Sequence, residues 1–530
     1  MNKFILSLVF AVVLVLMGLL AVPALAGTMA PVTVRTPLGD IRGLSDGEIA
    51  IFRGIPYAEP PVGELAYAPT QPVGKWDGVL DAMKFGPIPT QITDAKPGSV
   101  SMSDAACLTL NIWAPASARP GDGLPVYVFI HGGAYAMGSG SSPVYDSASF
   151  ARDGIVAVTF NYRLNAQGFL ATRATYEKYG TTGNWGHLDQ IEALKWVRDN
   201  IAAFGGDPEK VTVGGQSAGS YSVSALVLSP LAKGLFRAAI MESGTMLGAA
   251  RTWYNVAGDL DRSVEVGQEI LRLFDTPDSA TGLAKLRAID PMLLTAVTAF
   301  SVGMTEYQRY FLMPTFDGCV LPRDPYEAIH EGRFNKVNLL WGFNTDEGSL
   351  FVPDGQTEME YRRAVIHSAG YDAAMKVLKR FPVDEKHSAT NRLRAYTAYS
   401  LFTTGLKCFA DRMSEAGMKV WGYNFSYVSQ RNAKAHLGAA HAAELPYVFR
   451  TLVGEDTEDR RRLADEIHSR FVNFIKTGDP NGELKTPSGA EWPGYRSDGK
   501  LLQFDKEVKA VEFPDLDDMK FMQSVLSPKQ

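Results

Sequence analysis

Gly215-Gln216-Ser217-Ala218-Gly219 follows the β-branched run Val211-Thr212-Val213. It leads directly into Ser220-Tyr221-Ser222-Val223-Ser224-Ala225-Leu226-Val227-Leu228, which reads as a helix. A Gly-x-Ser-x-Gly between strand and helix lifts a serine hydroxyl clear of a sheet edge. The glycines allow a very sharp turn, and the serine is left presented on it in a strained conformation. The N–H of Ala218, at the helix start, then points where an oxyanion would form. The chemistry these residues suit is acyl transfer to a serine.

A serine hydroxyl needs a base to take its proton, and the base needs an acid to fix its tautomer and stabilise its charged form. The chain has eight histidines. His131 precedes Gly132-Gly133-Ala134-Tyr135, a turn suited to presenting N–H groups as the other half of an oxyanion hole. That position makes His131 a residue that holds the loop rather than the base. His441 lies late in the chain in the small-residue loop Gly438-Ala439-Ala440-His441-Ala442-Ala443-Glu444, where a Ser…acid…His order puts a base. His436 competes with it, and spacing does not separate the two. Asp346 and Glu347, just past Val337-Asn338-Leu339-Leu340-Trp341-Gly342, are the acid candidates, of which one suffices.

These groups need a scaffold that brings distant stretches of chain to one edge. Val126-Tyr127-Val128-Phe129-Ile130 and Ile155-Val156-Ala157-Val158-Thr159-Phe160 are continuous apolar runs, the pattern of strands buried on both faces. Residues 31–54 read as shorter strands, and Ala238-Ala239-Ile240-Met241 and residues 337–342 as further buried ones. Asp189 to Phe204 has helical spacing. Strands alternating with helices predict an α/β fold, a large, mostly parallel sheet flanked by helices, with functional groups at the C-terminal strand ends. The long stretch between Ser217 and Glu347 exceeds one β–α–β step, which predicts helical cap insertions. Its apolar side chains Met246, Trp253, Phe300, Met304, Phe311 and Met313 suit an acyl or alcohol pocket.

Lys3, the apolar run Phe4 to Leu20, Pro23 and Ala24-Leu25-Ala26 describe a secretory signal peptide over residues 1–26, cut after Ala26. This predicts a secreted or periplasmic protein with no stable membrane anchor after cleavage. Residues 27–530 show no linker or repeat and are expected to form one domain. The net charge is −6 with no basic block, so no nucleic-acid partner is expected. Neither a metal nor a nucleotide cofactor is expected, since no His-Glu-x-x-His, Cys-x-x-Cys or glycine fingerprint occurs. Three cysteines, Cys107, Cys319 and Cys408, leave at least one thiol unpaired within the chain.

The chain resembles the type-B carboxylesterase family, which includes the cholinesterases and bacterial para-nitrobenzyl esterases. The resemblance is carried by Phe52-Arg53-Gly54-Ile55-Pro56-Tyr57-Ala58-Glu59-Pro60-Pro61, His131-Gly132-Gly133-Ala134, Asn161-Tyr162-Arg163-Leu164, Gly183 to Gln190, Phe204 to Pro208, Gly215 to Gly219 and Thr477-Gly478-Asp479-Pro480-Asn481. It implies an α/β-hydrolase fold and ester hydrolysis of a small molecule through an acyl-enzyme. It makes Ser217, Glu347 and His441 the catalytic triad and Gly133, Ala134 and Ala218 the oxyanion donors. Ala134 stands where many members have a third glycine.

The departures are as informative as the matches. The family's Glu–Arg ion pair is replaced here by Ala105 and Ala66, and the disulfide partner of Cys107 by Pro89, which implies that Cys107 is a free thiol. Gln216 replaces the commoner Glu beside the nucleophile, and His187 replaces an apolar residue. A lipase, an amidase or a specialised toxin, carbamate or polyester hydrolase of the same fold is the alternative reading. A catalytically silent binding module would need a damaged triad, and none of the three residues is missing.

Overall fold

The apolar runs become the middle of one sheet because neighbouring strands hide both of their faces. The computed structural model describes residues 29–92, 106–247, 258–298, 312–454, 457–496 and 499–526. The expected leader lies outside them, as do Ala105 and the cap residues Trp253, Phe300, Met304 and Phe311.

Thirteen strands form the sheet: β1 (Ala30–Thr36), β2 (Gly39–Ser45), β3 (Ile49–Pro56), β4 (Val79–Asp81), β5 (Thr109–Pro115), β6 (Leu124–Ile130), β7 (Val156–Phe160), β8 (Gly206–Gln216), β9 (Ala238–Glu242), β10 (Asn338–Asn344), β11 (Val420–Phe425), β12 (Lys500–Phe504) and β13 (Lys509–Glu512). Their order is β1-β2-β3-β5-β7-β6-β8-β9-β10-β11-β12-β13, with β4 beside β2. From β7 to β12 every pairing is parallel, while β1, β2, β3 and β5 at one edge and β13 at the other pair antiparallel along this order, and β4 runs parallel to β2. The α/β-hydrolase expectation of a large, mostly parallel sheet therefore holds.

Alternation along the strands feeds two cores. In β6, Val126, Val128 and Ile130 pack into one core with Trp185, Ile191 and Leu194 of the helix Trp185–Asn200 and with Val223 and Leu226 of the helix Ala218–Leu228. Tyr127 and Phe129 face the other core, closed by Leu463, Ile467, Phe471 and Phe474 of the helix Glu458–Thr477. The predicted helix from Asp189 begins four residues earlier, at Trp185, and its last predicted residues, Ile201–Phe204, form a 3-10 turn.

Register decides what the sheet can present. Gln216 pairs with Glu242, and Glu242 with Gly342, so β8, β9 and β10 end nearly level. The turn carrying Ser217 and the loop carrying Glu347 thus leave the same edge of the sheet, on either side of β9. The described residues after β9 include the helices Leu260–Arg272, Ala280–Ala288 and Pro291–Thr298. A second helical insertion, from Glu358 to Glu415 between β10 and β11, was not anticipated from the sequence. Among the described residues no helix is long and apolar enough to cross a membrane.

Near Ala66 the fold supplies an arginine from elsewhere. Arg287, on the helix Ala280–Ala288, donates to the carbonyls of Ala66 (3.1 Å) and Glu64 (2.7 Å) and pairs with the Glu64 carboxylate at 2.5 Å. The three cysteines remain thiols, with Cys107 wholly buried.

His187 is a polar residue set among aromatic rings in this core. It is 1% exposed, lies edge-on to Tyr135 and Phe169, and among the described residues neither ring nitrogen has a hydrogen-bond partner. Burial pushes its pKa down from 6.5 to about 3. An unfolded chain binds that proton below about 6.5 and the folded protein only near 3, so His187 erodes stability as the pH falls through this window. We expect His187→Leu to raise the thermal midpoint, with about 1–3 kcal/mol gained from removing an unsatisfied polar group. The gain should be larger at pH 5 than at pH 8. Calorimetry at both values checks it, and an equal gain at both would contradict a ring kept neutral by burial.

Candidate active site

At the end of β8 the chain reverses at Ser217, whose backbone sits at φ 56°, ψ −125°, outside the regions an L-residue ordinarily adopts. Its N–H donates to the Glu242 carbonyl at 2.9 Å, and its own carbonyl accepts from Tyr221, which starts the buried helix Ala218–Leu228. Gly219 is required by contact: a Cβ there would lie 2.0 Å from the Ile130 carbonyl oxygen. The turn can therefore press against the end of β6, where the glycine loop begins.

That loop is strained as well. Gly133 has φ 112°, Ala134 φ 56° and Tyr135 φ 57°. Ala134 thus holds, with a side chain, a left-handed conformation that a glycine takes at no steric cost. Among the described residues the N–H groups of Gly133, Ala134 and Ala218 have no protein acceptor. His131 fixes the loop, as its position suggested. Its Nδ1 donates to the Gly132 carbonyl at 2.8 Å, its ring stacks on Tyr162 at 4.5 Å, and the Tyr162 hydroxyl donates to its carbonyl at 2.9 Å. Burial lowers its pKa to about 4, so it is a neutral strut.

The two pairs of alternatives separate geometrically. His441 Nδ1 lies 2.5 Å from Glu347 Oε2, and Glu347 Oε1 accepts the Asn344 N–H at 2.8 Å. Both residues are buried. Asp346 turns away and accepts the N–H of Ala439 at 2.8 Å, bracing the loop that carries His441. His436 is exposed. The imidazole of His441 is hemmed in by Phe402 and Phe351, with ring centroids at 4.5 and 5.2 Å.

On its other nitrogen the arrangement is not the one acyl transfer needs. No hydrogen bond joins Ser217 Oγ to His441. Gln216 Nε2 lies 3.3 Å from His441 Nε2 and takes the lone pair a serine proton would go to. In a protein without substrate such contacts are commonly long and tighten on binding.

Two further buried carboxylates lie behind this pair, and the sequence reading did not single them out. Glu444 follows His441 by three residues and accepts from Asn344 Nδ2; Glu242 ends β9 and accepts weakly from the Tyr423 hydroxyl at 3.4 Å. One oxygen of each has no partner among the described residues. Burial, then the charge of Glu347, pushes Glu444 up to about 7, and burial with the charge of Glu444 pushes Glu242 well above the carboxylate range. The only available signal was position: a carboxylate at the end of an apolar strand and another close after the base candidate. Among the described residues no group of His, Cys, Asp and Glu is arranged to hold a metal ion.

Residues 30–522 match the model of the carboxylesterase family. The chain is 35% identical to the para-nitrobenzyl esterase of Bacillus subtilis (strain 168), covering 91% of this chain and 96% of that protein. It is 32% identical to the fumonisin B1 esterase of Sphingopyxis macrogoltabida, covering 94% and 91%. A solved structure titled PNB esterase superposes with a TM-score of 0.79 at 32% identity, covering 92% of this chain and 99% of that one.

The buried carboxyl beside Glu347 has a measurable consequence. Unfolded, Glu444 ionises near 4.5; folded, it keeps its proton to about 7. Its contribution is therefore intact below 4.5 and lost as the pH rises through 7. Glu444→Gln keeps an oxygen for Asn344 and carries no charge. Its thermal midpoint relative to the parent should climb between pH 5 and pH 8. A constant difference across that range would show that Glu444 ionises as an ordinary carboxylate.

Proposed function

The chain belongs to the carboxylesterase family and is a carboxylic ester hydrolase, and on that footing we propose that Ser217 is its nucleophile, His441 its general base and Glu347 the acid that orients the base. Ser217 Oγ attacks the acyl carbonyl while His441 Nε2 takes its proton. The carbonyl oxygen becomes an oxyanion received by the N–H groups of Gly133, Ala134 and Ala218. The imidazolium, paired with Glu347, then gives its proton to the departing alcohol and leaves an acyl-enzyme. Water, activated by the same imidazole, attacks the acyl carbon. The second tetrahedral intermediate collapses to the carboxylic acid and restores the serine.

The observation that carries this reading is the 2.5 Å contact of His441 with Glu347, made by that pair and not by Asp346 or His436. The strained turn at Ser217 beside the glycine loop supports it. Before the first step the amide of Gln216 has to give up its place at Nε2.

The proposed substrates are small carboxylic esters with an apolar acyl or alcohol part. Two relatives bear the names of a para-nitrobenzyl esterase and a fumonisin B1 esterase, and Met246 and Met313 of the cap stretch lie buried or half-buried. We place the enzyme in the periplasm or outside the cell. The basic residue, apolar run and Ala24-Leu25-Ala26 of the first 26 residues support export, and the family match begins only at residue 30.

Ser217→Ala should lower turnover of a para-nitrophenyl ester by roughly 10⁶-fold while the protein stays folded, since one hydroxyl is lost. His441→Ala should fall nearly as far. His436→Ala and Asp346→Asn, which keeps an oxygen for Ala439, should retain most activity. A phosphonate ester should label Ser217 alone. Labelling of Ser220 or Ser243, or an inactive His436→Ala beside an active His441→Ala, would overturn the assignment.

A further inference from the structure

The helices Ala389–Thr397 and Thr404–Glu415 join through a π-helical turn, Ala398–Thr403, in the second insertion. A π turn has poorer packing than the α turn it replaces and persists where something outside the helix holds it. Here the restraints are visible. Thr403 Oγ1 donates to the Ala398 carbonyl, five residues back, at 3.2 Å. The Tyr221 hydroxyl, one helical turn beyond Ser217, donates to the Leu401 carbonyl. Just past the turn, Gly405 approaches the segment after β9 so closely that a Cβ would lie 2.6 Å from the Leu247 carbonyl oxygen.

The turn is thus fastened to the helix Ala218–Leu228 that follows Ser217, and the residue after the fastened carbonyl is Phe402. That side chain is 4% exposed, and its ring lies 4.5 Å from the ring of His441 at an interplanar angle of 33°. Phe351, 5.5 Å from Phe402, stands against the imidazole at 61°. In an unbroken α-helix the side chain would point about 100° away for each residue of register lost.

We propose that Phe402, aimed by the π turn that Tyr221 fastens, is a positioning residue for His441. It keeps the imidazole plane in the orientation that serves Ser217 and favours the ring when it carries charge. This rests on the reading of His441 as the base. The Glu347 bond holds only Nδ1 and leaves the ring free to rotate about that direction, and the Gln216 amide offers Nε2 a competing partner. A flat apolar face against the imidazole removes that freedom. The same face attracts the imidazolium formed when the serine proton is taken, through the ring quadrupole. Phe402 has no group that bonds substrate or transfers a proton.

The test compares Phe402→Leu, Phe402→Tyr and Tyr221→Phe with the parent and with His441→Ala on one para-nitrophenyl ester. Leucine keeps the apolar bulk and loses the flat face. It should lower kcat by about tenfold to a hundredfold with KM within about twofold. It should also move the acid limb of the pH–rate profile about half a pH unit toward lower pH, because desolvation is kept while the attraction to charge is lost. Phe402→Tyr should recover most of kcat. Tyr221→Phe, which deletes only the fastening hydroxyl, should show a smaller fall of the same kind. Unchanged kcat in Phe402→Leu, or a loss confined to KM, would overturn the inference and make Phe402 a pocket wall. The result is read against His441→Ala. If that variant is inactive while Phe402→Leu is not, only the inference fails. If His441→Ala is active, the assignment of the base fails.

Discussion

Ser217 stays at φ 56°, ψ −125° because its turn is held from three directions: the Glu242 carbonyl takes its N–H, the Ile130 carbonyl bears on Gly219, and the helix that follows is buried along its whole length. Backbone strain of this kind costs on the order of 1–3 kcal/mol and persists only where the surroundings over-determine it. Here the surroundings are the ends of three adjacent parallel strands, β6, β8 and β9. Any slip in their register would release the turn and move the glycine loop with it. The glycine loop and the serine turn are thus two products of one constraint, which is why Gly133, Ala134, Tyr135 and Ser217 all take positive φ within one small region.

The far side of the site is governed by charge. Glu347, Glu444 and Glu242 are all buried, and His441 bonds the first of them. Three carboxylates of full charge in such a place would each carry a desolvation cost that one imidazole cannot offset. The fold resolves this by letting protons stay. Burial and the neighbouring Glu444 push Glu242 well above the carboxylate range, Glu444 is pushed up to about 7, and Glu347, with a hydrogen bond to each oxygen, is the member that faces the imidazole. The charge on that side is in this way graded rather than summed.

How legible this was in the sequence follows the range of the interactions involved. The strand–turn–helix at Ser217 and the glycine loop after β6 are local patterns, and both were read from neighbouring residues. So were the buried runs, since a strand covered on both faces shows no alternation. The choice between Asp346 and Glu347, and between His436 and His441, was not legible from spacing. The family resemblance named Glu347 and His441, and in the fold the 3-10 turn Glu347–Leu350 sets Glu347 inward against His441. Arg287 at Ala66, the neutral core histidine at 187 and the Glu242–Glu444 neighbourhood are contacts between residues far apart in the chain, with no periodicity to announce them. The insertion after β10 was missed because its helices read, one by one, like any amphipathic helix.

That insertion changes how the division of labour in the fold should be drawn. In a sheet of this kind the strand ends carry the reacting groups and the inserted helices shape the space for substrate, so the two would vary independently. Here they touch. Phe402 belongs to the insertion and lies on the imidazole of His441, while Tyr221, on the helix starting at Ser217, reaches back to the same insertion. On the proposed role of Phe402, a substitution in the insertion that shifts the π turn alters the orientation of the imidazole. In that reading the inserted helices act on the reaction through one side chain, and a change in the insertion has to be read with the imidazole in view.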